Sequence, residues 1–333
     1  MDPVTQGALG AVFAQSSASK QQLFKAALVG AIGGMVPDLD VLIRSAEDPL
    51  LFLEYHRHFT HSLFFIPIGG VLCGVLLYGL FGKLLDMSLK QMLLWSTIGY
   101  ATHALLDACT SYGTLLLWPL SDRRFSWDTI SVVDPLVTVP LLFLIVRAAS
   151  AKAKTYVWIA IAWVLFYLSL GYLQHERAIN MGRELAVSRN HTVIRLEAKP
   201  SFANILVWKV IYESNGMFYV DAVKPGLFSS TGWQGEKIAK LDLERDFPWL
   251  DPDSQQARDI QRFDYFSAGF TAVDPQNKNR IIDMRYSMLP QEIQALWGIE
   301  LSRDAGPREH VEYYTERNNG REAFGRLWSM IWN

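Results

Sequence analysis

The sequence predicts a mainly α, multi-pass membrane domain of about four or five transmembrane helices plus a short N-terminal helix, followed by an α+β soluble domain. Half of the 333 residues are hydrophobic, and the apolar residues are concentrated in the first half of the chain. After His175 the chain is polar and mixed in charge, without an apolar run long enough to cross a bilayer. We therefore predict a transmembrane domain over residues 1–175 and a soluble domain over residues 176–333.

The membrane helices are predicted from apolar runs in the first half. Two short runs are below the roughly 20 residues that span a bilayer upright, and we expect them to form a hairpin. The longer runs carry little or no charge and predict spanning helices. The short runs are residues 5–14 and 23–36, and the longer runs are residues 62–81, 91–106, 130–146 and 155–173.

The soluble half is predicted from alternating and turn-bounded segments. Asn215 and Gly216 favour a turn, so the strands on either side of them should form a hairpin. The predicted strands are residues 192–198, 204–213, 217–224 and 280–288, and the predicted helices are residues 252–262 and 309–331.

Charge and cysteine content exclude several classes of protein. The net charge of −2 gives no positive excess for binding nucleic acid. The two cysteines, Cys73 and Cys109, exclude a disulfide framework and a Cys-rich zinc site. Lysine and arginine predominate in the short connections at residues 15–25, 82–91 and 147–154, which the positive-inside rule places in the cytoplasm. The opposite face, with the C-terminal domain, should then be extracytoplasmic.

The stretch GYATHALLDACTSYG, residues 99–113, places His103 and Asp107 four residues apart, on one face of a helix. An imidazole nitrogen and a carboxylate oxygen at this spacing can bind one metal ion. Ionisable residues in an apolar helix often mark a functional site. A buried His–Asp hydrogen bond is the structural alternative.

Two further motifs supply residues of the same kind. Asp38 and Asp40 follow Pro37 at a helix exit, where ordinary turn chemistry is the alternative to metal binding. The run YHRHFTHS contains His56, His58 and His61, three of the seven histidines in the chain. A polar helix cap explains the hydroxyl residues of this run but does not need three histidines. We expect at least two of them to be ligands.

The predicted topology brings these residues to one membrane face. Oxygen and nitrogen ligands without thiolate favour zinc first, with manganese or iron as alternatives. Such a site can activate water and hydrolyse an ester. The paired Arg123 and Arg124 would bind an anionic group of the substrate, unless they are interfacial arginines that contact lipid headgroups.

Several of these motifs together resemble a known family. The stretches MDPVTQGALG, GGMVPDLDVLI, HRHFTHSLFF, GYATHALLDACTSYGTLLLWPLSDRRFSW and VVDPL occur in this order. They are similar to the YdjM-type family of bacterial inner-membrane proteins, which are classed as metal-dependent hydrolases by inference. The resemblance covers about the first 175 residues. It implies a location in the bacterial inner membrane.

The family pattern contains Thr-His, Pro-Asp-x-Asp, His-Arg-x-x-Thr-His-Ser and His-x-x-x-Asp. It implies metal binding by Asp38, Asp40, His56, His61, His103 and Asp107, while His58 falls at a variable position. Gln6 stands where the pattern has its first histidine, and a glutamine oxygen is a weaker zinc ligand than imidazole. The His-x-x-x-Asp arrangement is also similar to the metal core of zinc-dependent phospholipase C and P1-type nucleases, which implies phosphoester hydrolysis.

The leading hypothesis is a membrane-bound, metal-dependent hydrolase of a phosphoester or related ester at the membrane surface. Its expected partners are membrane lipids and a lipid or phosphoester substrate, without nucleic acid. The alternative is a non-catalytic membrane protein with a structural metal or polar cluster and a soluble domain that binds an unidentified protein. A transporter fits less well, because the ionisable residues cluster at helix ends on one face and not near the midplane.

Overall fold

A computed structural model describes residues 1–226, 229–316 and 320–332. The chain forms two compact units, each built from more than one segment. The helical unit comprises Met1–Leu42, Tyr55–Leu173 and Phe202–Asn204, and the sheet unit comprises Ile43–Glu54, Gln174–Ser201 and Ile205–Asn333. The predicted functional division between residues 175 and 176 stays a prediction.

The N-terminal half is helical. Short 3-10 segments interrupt it at Lys20–Gln22, Val36–Leu42 and Phe59–His61. The helices in chain order are α1 (Pro3–Ser17), α2 (Leu23–Met35), α3 (Leu51–Tyr55), α4 (Ile66–Phe81), α5 (Leu89–Ala108), α6 (Pro135–Ala151) and α7 (Thr155–Ser188).

Glycines allow the backbones of α1, α2 and α5 to touch. A Cβ atom on Gly99 of α5 would lie 2.1 Å from the carbonyl oxygen of Gly30 in α2, and one on Gly10 of α1 would lie 2.3 Å from the same oxygen. A capping box between Ser88 and Gln91 starts α5. The last turns of α5 are thereby held against the end of α2.

The prediction of a multi-pass domain with four or five transmembrane helices is wrong. Among the described residues, α7, with 34 residues, is long and apolar enough to cross a bilayer. A second crossing results only if Leu51–His61 and Ile66–Phe81, which meet at 88°, are counted together. The apolar runs of the sequence include turn residues, so the helices α4 and α6 have only 16 and 17 residues.

The helix α5 shows why apolar composition does not identify membrane crossings. It has 20 residues but carries Lys90, His103 and Asp107, and it is not among the helices that are apolar enough to cross a bilayer. Its small and apolar side chains are largely buried against the protein. A helix in a protein core and a helix in lipid both need apolar side chains, so composition alone does not separate them.

The sheet unit contains two antiparallel sheets. The first has the order β1-β2-β3-β4, with β5 also paired to β3, and the second has the order β6-β7-β8-β9. Their strands are β1 (Arg195–Pro200), β2 (Trp208–Ser214), β3 (Met217–Lys224), β4 (Thr231–Trp233), β5 (Lys237–Ala239), β6 (Thr271–Val273), β7 (Arg280–Asp283), β8 (Trp297–Glu300) and β9 (Glu312–Thr315). The helices are α8 (Leu243–Asp246), α9 (Gln255–Phe266) and α10 (Gly320–Trp332).

The predicted hairpin at Asn215 and Gly216 is confirmed. Ser214 pairs with Met217 across the turn, and both turn residues have positive φ, 49° and 70°. The predicted helix over residues 309–331 differs from the structure, because its first part contains β9 and the helix begins at Gly320. Residues 317–319 of that prediction lie outside the described residues. The core of the sheet unit contains side chains from both sheets, including Phe218 of β3 and Ile282 of β7.

Candidate metal centre

The residues of the predicted site come from three segments of the helical unit. Asp38 and Asp40 lie in the 3-10 segment Val36–Leu42 that follows α2. His61 ends the 3-10 segment Phe59–His61. His103 and Asp107 lie one turn apart near the end of α5. The contact of Gly99 with Gly30 holds this end of α5 close to the segment that carries the two aspartates.

One group, which we call the inner group, consists of Asp38, His61, His103 and Asp107. Each offers one ligand atom, and the four atoms lie within 4.8 Å of one another. The Nε2 atom of His61 lies 3.1 Å from Asp107 Oδ2, and the Nε2 atom of His103 lies 3.4 Å from Asp38 Oδ1. The side chain of Asp38 is 18% exposed, whereas the other three are fully buried. The group is therefore accessible from the side of Asp38.

Contacts of the Nδ1 atoms fix the orientation and the protonation of the His61 and His103 rings. His103 Nδ1 lies 2.6 Å from the carbonyl oxygen of Gly34, which can only accept a hydrogen bond. His61 Nδ1 lies 3.1 Å from Asp40 Oδ2 and 3.0 Å from the Thr60 hydroxyl oxygen, and that hydroxyl donates to Asp40. Both rings therefore carry a proton on Nδ1. In the neutral state both Nε2 atoms point lone pairs at the centre of the inner group.

This arrangement fits a divalent cation. The two Nε2 atoms are 2.8 Å apart, and the buried Asp107 Oδ2 lies 3.1 Å from the Nε2 atom of His61. Lone pairs that converge in this way repel one another unless a cation lies between them. A proton on one ring relieves one of these repulsive contacts, whereas a metal ion can accept lone pairs from all four ligand atoms. The described residues thus form a buried Asp/His cluster that could hold a metal ion.

A second group, which we call the outer group, consists of Asp38, Asp40 and His56. His56 Nδ1 lies 2.8 Å from Asp40 Oδ1. The other oxygen of Asp40 accepts hydrogen bonds from the Arg57 backbone N–H at 3.0 Å and from the Thr60 hydroxyl at 2.7 Å. All six residues that the sequence predicts as ligands therefore belong to one of two groups that share Asp38.

The two aspartates of the 3-10 segment are held in their charged form. Burial acts to raise the pKa of Asp40, but hydrogen bonds with His56 and His61 outweigh it and lower the pKa below its usual value. Burial likewise acts to raise the pKa of Asp38, and hydrogen bonds with His103 and His61 again prevail and lower it. Both carboxylates are therefore ready to bind a cation at neutral pH.

Sequence reasoning did not assign a role to Arg57. Its side chain is buried, its Nε lies 3.0 Å from Asp107 Oδ2, and its Nη1 donates to Thr110 at 2.9 Å. It also has a positive φ of 63°, which turns the chain between His56 and His61. The quoted motif contains this arginine, but only the folded chain shows that it faces Asp107.

Gln6 also contacts the cluster. Its Nε2 donates to Asp107 Oδ1 at 2.8 Å, and the amine of Met1 contacts the same oxygen. Gln6 Oε1 is buried and has no hydrogen-bond partner. The glutamine thus positions Asp107 through its N–H group.

The remaining predicted residues lie in other surroundings. The ring of His58 packs against Trp118, with centroids 5.3 Å apart, and belongs to neither group. The guanidinium carbon of Arg123 lies 5.2 Å from the centroid of the Phe125 ring. Arg124 donates a hydrogen bond to the carbonyl oxygen of Gly113 at 3.2 Å. Anion binding by the two arginines stays a prediction.

The fold and the cluster define a protein with an apolar helical unit that carries a buried Asp/His cluster and with a separate β-sheet unit. Residues 1–178 match the model of the family described as YdjM inner membrane protein, and the chain belongs to this family. The predicted resemblance is thereby confirmed. The sequence is also 36% identical over 107 residues to the inner membrane protein YbcI of Escherichia coli (strain K12), a match that covers 31% of this chain and 60% of YbcI. No solved structure matches the chain.

Proposed function

We propose that this protein is a metal-dependent hydrolase at the inner membrane, acting on a phosphoester or related ester. The observation that carries the proposal is the convergence of four ligand atoms in the inner group, three of them on fully buried side chains. Membership of an inner membrane protein family supports the membrane location. Zinc is the first choice of metal and manganese or iron are alternatives, because the ligands are imidazole and carboxylate without thiolate.

The inner group would bind the ion, and neighbouring residues would keep the ligand side chains in place. Gly34 fixes the ring of His103, and Asp40 fixes the ring of His61, so each Nε2 stays directed inward. The chemistry that a divalent ion supplies at such a site is activation of water and stabilisation of charge on an ester oxygen. Asp38 lies on the accessible side, where water and substrate would approach.

Substrate binding is the second part of the proposal. Arg123 and Arg124 would bind the anionic group of the substrate, since guanidinium groups pair with phosphate through two parallel hydrogen bonds. The expected substrate is a lipid or another phosphoester at the membrane surface, and nucleic acid is not expected. The extracytoplasmic placement of the site and of the C-terminal domain stays a prediction.

A non-catalytic protein is the alternative function. In that case the metal or polar cluster would be structural, and the C-terminal domain would bind a protein partner. The full burial of His61, His103 and Asp107 favours this alternative, because closed sites are typical of structural metals. The outer group favours catalysis, because the His56 side chain is 20% exposed.

A phosphodiesterase assay on the full chain separates the two functions. Protein purified in detergent is freed of metal, reloaded with zinc or manganese, and tested on bis(p-nitrophenyl) phosphate and on a phospholipid. We expect hydrolysis that is lost in His103→Ala and retained in His58→Ala, a histidine outside both groups. Equal hydrolysis by wild type and His103→Ala would reject the hydrolase, and so would metal binding without any turnover.

A further inference from the structure

We propose that the cluster holds two divalent ions bridged by Asp38, the second of which is bound by Asp40 and His56. This inference rests on the proposed metal site and deepens it. The two groups of ligand atoms share Asp38 and no other residue. A carboxylate has two oxygens, so Asp38 can give one oxygen to each ion. Zinc, the first choice of metal, prefers four ligands, so six ligand residues would crowd a single zinc ion.

The two oxygens of Asp40 have different surroundings. Asp40 Oδ2 accepts the Arg57 N–H and the Thr60 hydroxyl, and it lies 3.1 Å from His61 Nδ1. Asp40 Oδ1 faces His56 Nδ1 at 2.8 Å. The structure assigns Oδ2 to orienting His61 and Oδ1 to the second ion. A metal ion would replace the hydrogen bond between Asp40 and His56.

The outer group differs from the inner group in exposure and in ligand number. It offers three ligand residues where the inner group offers four. The His56 and Asp38 side chains are 20% and 18% exposed, whereas His61, His103 and Asp107 are fully buried. The second ion should therefore bind more weakly and exchange faster. It would also keep coordination positions open on the side from which substrate approaches.

A pair of bridged ions fits the substrate class of the proposed function. Two divalent ions about 3.5–4 Å apart can bind two oxygens of one phosphoryl group and stabilise the attacking and leaving oxygens together. The shared Asp38 is therefore consistent with a phosphoester substrate.

Manganese binding to the full chain in detergent tests this inference. Metal-free protein is titrated with Mn²⁺, and bound metal is measured by equilibrium dialysis and electron paramagnetic resonance. We expect two equivalents with unequal affinity and a spin-coupled signal at full loading. His56→Ala should bind one equivalent without coupling, and the matched control His58→Ala should keep both equivalents and the coupling.

The outcomes distinguish this inference from the proposed function. One equivalent in both the wild type and His56→Ala overturns the second ion and leaves the single-metal site intact. No bound metal in the wild type overturns both. If His56→Ala fails to fold, as judged by circular dichroism, His56→Gln provides the same comparison with a side chain of similar volume. Two uncoupled equivalents would reject the bridge through Asp38.

Discussion

The Nε2 atoms of His61 and His103 lie 2.8 Å apart, and the Nδ1 atom of each ring already faces an oxygen acceptor. This relationship joins two segments that are 42 residues apart in the sequence. It places two lone pairs at one point, 3.1 Å from Asp107 Oδ2 on the His61 side. A divalent cation at this point would remove the repulsion between the two lone pairs.

Asp40 is expected to act on the inner ion through His61. Asp40→Asn keeps the shape of the side chain but removes the charge that holds His61 Nδ1. Loss of such an outer partner typically lowers metal affinity about 10- to 100-fold. Competition with a metal-binding dye would measure this change. Asp86→Asn, at an exposed aspartate of the same unit, is the control. Equal metal affinity of Asp40→Asn and Asp86→Asn would contradict the role of Asp40 in orienting His61.

Because α2 packs closely against α5, we expect a side chain at position 99 to lower the stability of the helical unit. In Gly99→Ala the new methyl group would meet the Gly30 carbonyl oxygen at 2.1 Å, so the helices must separate. Overpacking of this kind typically costs about 1–3 kcal/mol of the free energy of unfolding. Because His103 lies one turn further along α5, metal binding should weaken as well.

Gly79→Ala in α4 is the matched control for this variant. A Cβ atom there has no heavy atom within 4 Å, and alanine favours a helix over glycine by up to about 1 kcal/mol. Thermal unfolding of both variants in detergent measures the difference. A melting temperature of Gly99→Ala equal to that of wild type would show that the backbones do not touch.

A buried lysine makes the stability of the sheet unit depend on pH. Lys209 in β2 donates to Ser287 Oγ at 2.7 Å and to the Glu292 carbonyl oxygen at 2.9 Å. Burial lowers the pKa of Lys209 to about 7, although Asp283, Glu236 and Glu292 act to raise it. The unfolded chain binds the proton up to a pKa of about 10.5. Between these values the unfolded state binds more protons, so stability rises with pH.

Lys209→Met should abolish this dependence. The slope in wild type is at most about 1.4 kcal/mol per pH unit, and it should vanish below pH 7, where both states are protonated. Denaturant unfolding at a series of pH values from about 6 to 10 measures it. Lys278→Met, at an exposed lysine, should keep the wild-type slope, and an unchanged slope in Lys209→Met would contradict the assignment.

The residues of the two groups could be picked out from the sequence because each motif is local. His103 and Asp107 share a helix face whatever the rest of the chain does. Asp38 and Asp40 lie in one turn, and His56 and His61 lie in one short segment. That they form two groups sharing Asp38 could not be predicted, because this depends on contacts between separate segments.

The number of membrane crossings could not be predicted for a different reason. The apolar runs at residues 62–81 and 130–146 include residues 62–65 and 130–134, which lie outside α4 and α6. Apolar side chains of α5 pack against α2 and α4, as they would against lipid. The contact of Arg57 with Asp107 could not be predicted either, because no local sequence pattern indicates that an arginine is buried beside a distant carboxylate.

The most direct test of the metal centre is elemental analysis of the full chain purified in detergent, wild type beside Asp107→Ala and His58→Ala. We predict at least one equivalent of zinc or manganese in the wild type and in His58→Ala, and a loss of the inner ion in Asp107→Ala. Equal metal content in wild type and Asp107→Ala, or no metal in the wild type after reconstitution, would contradict the account.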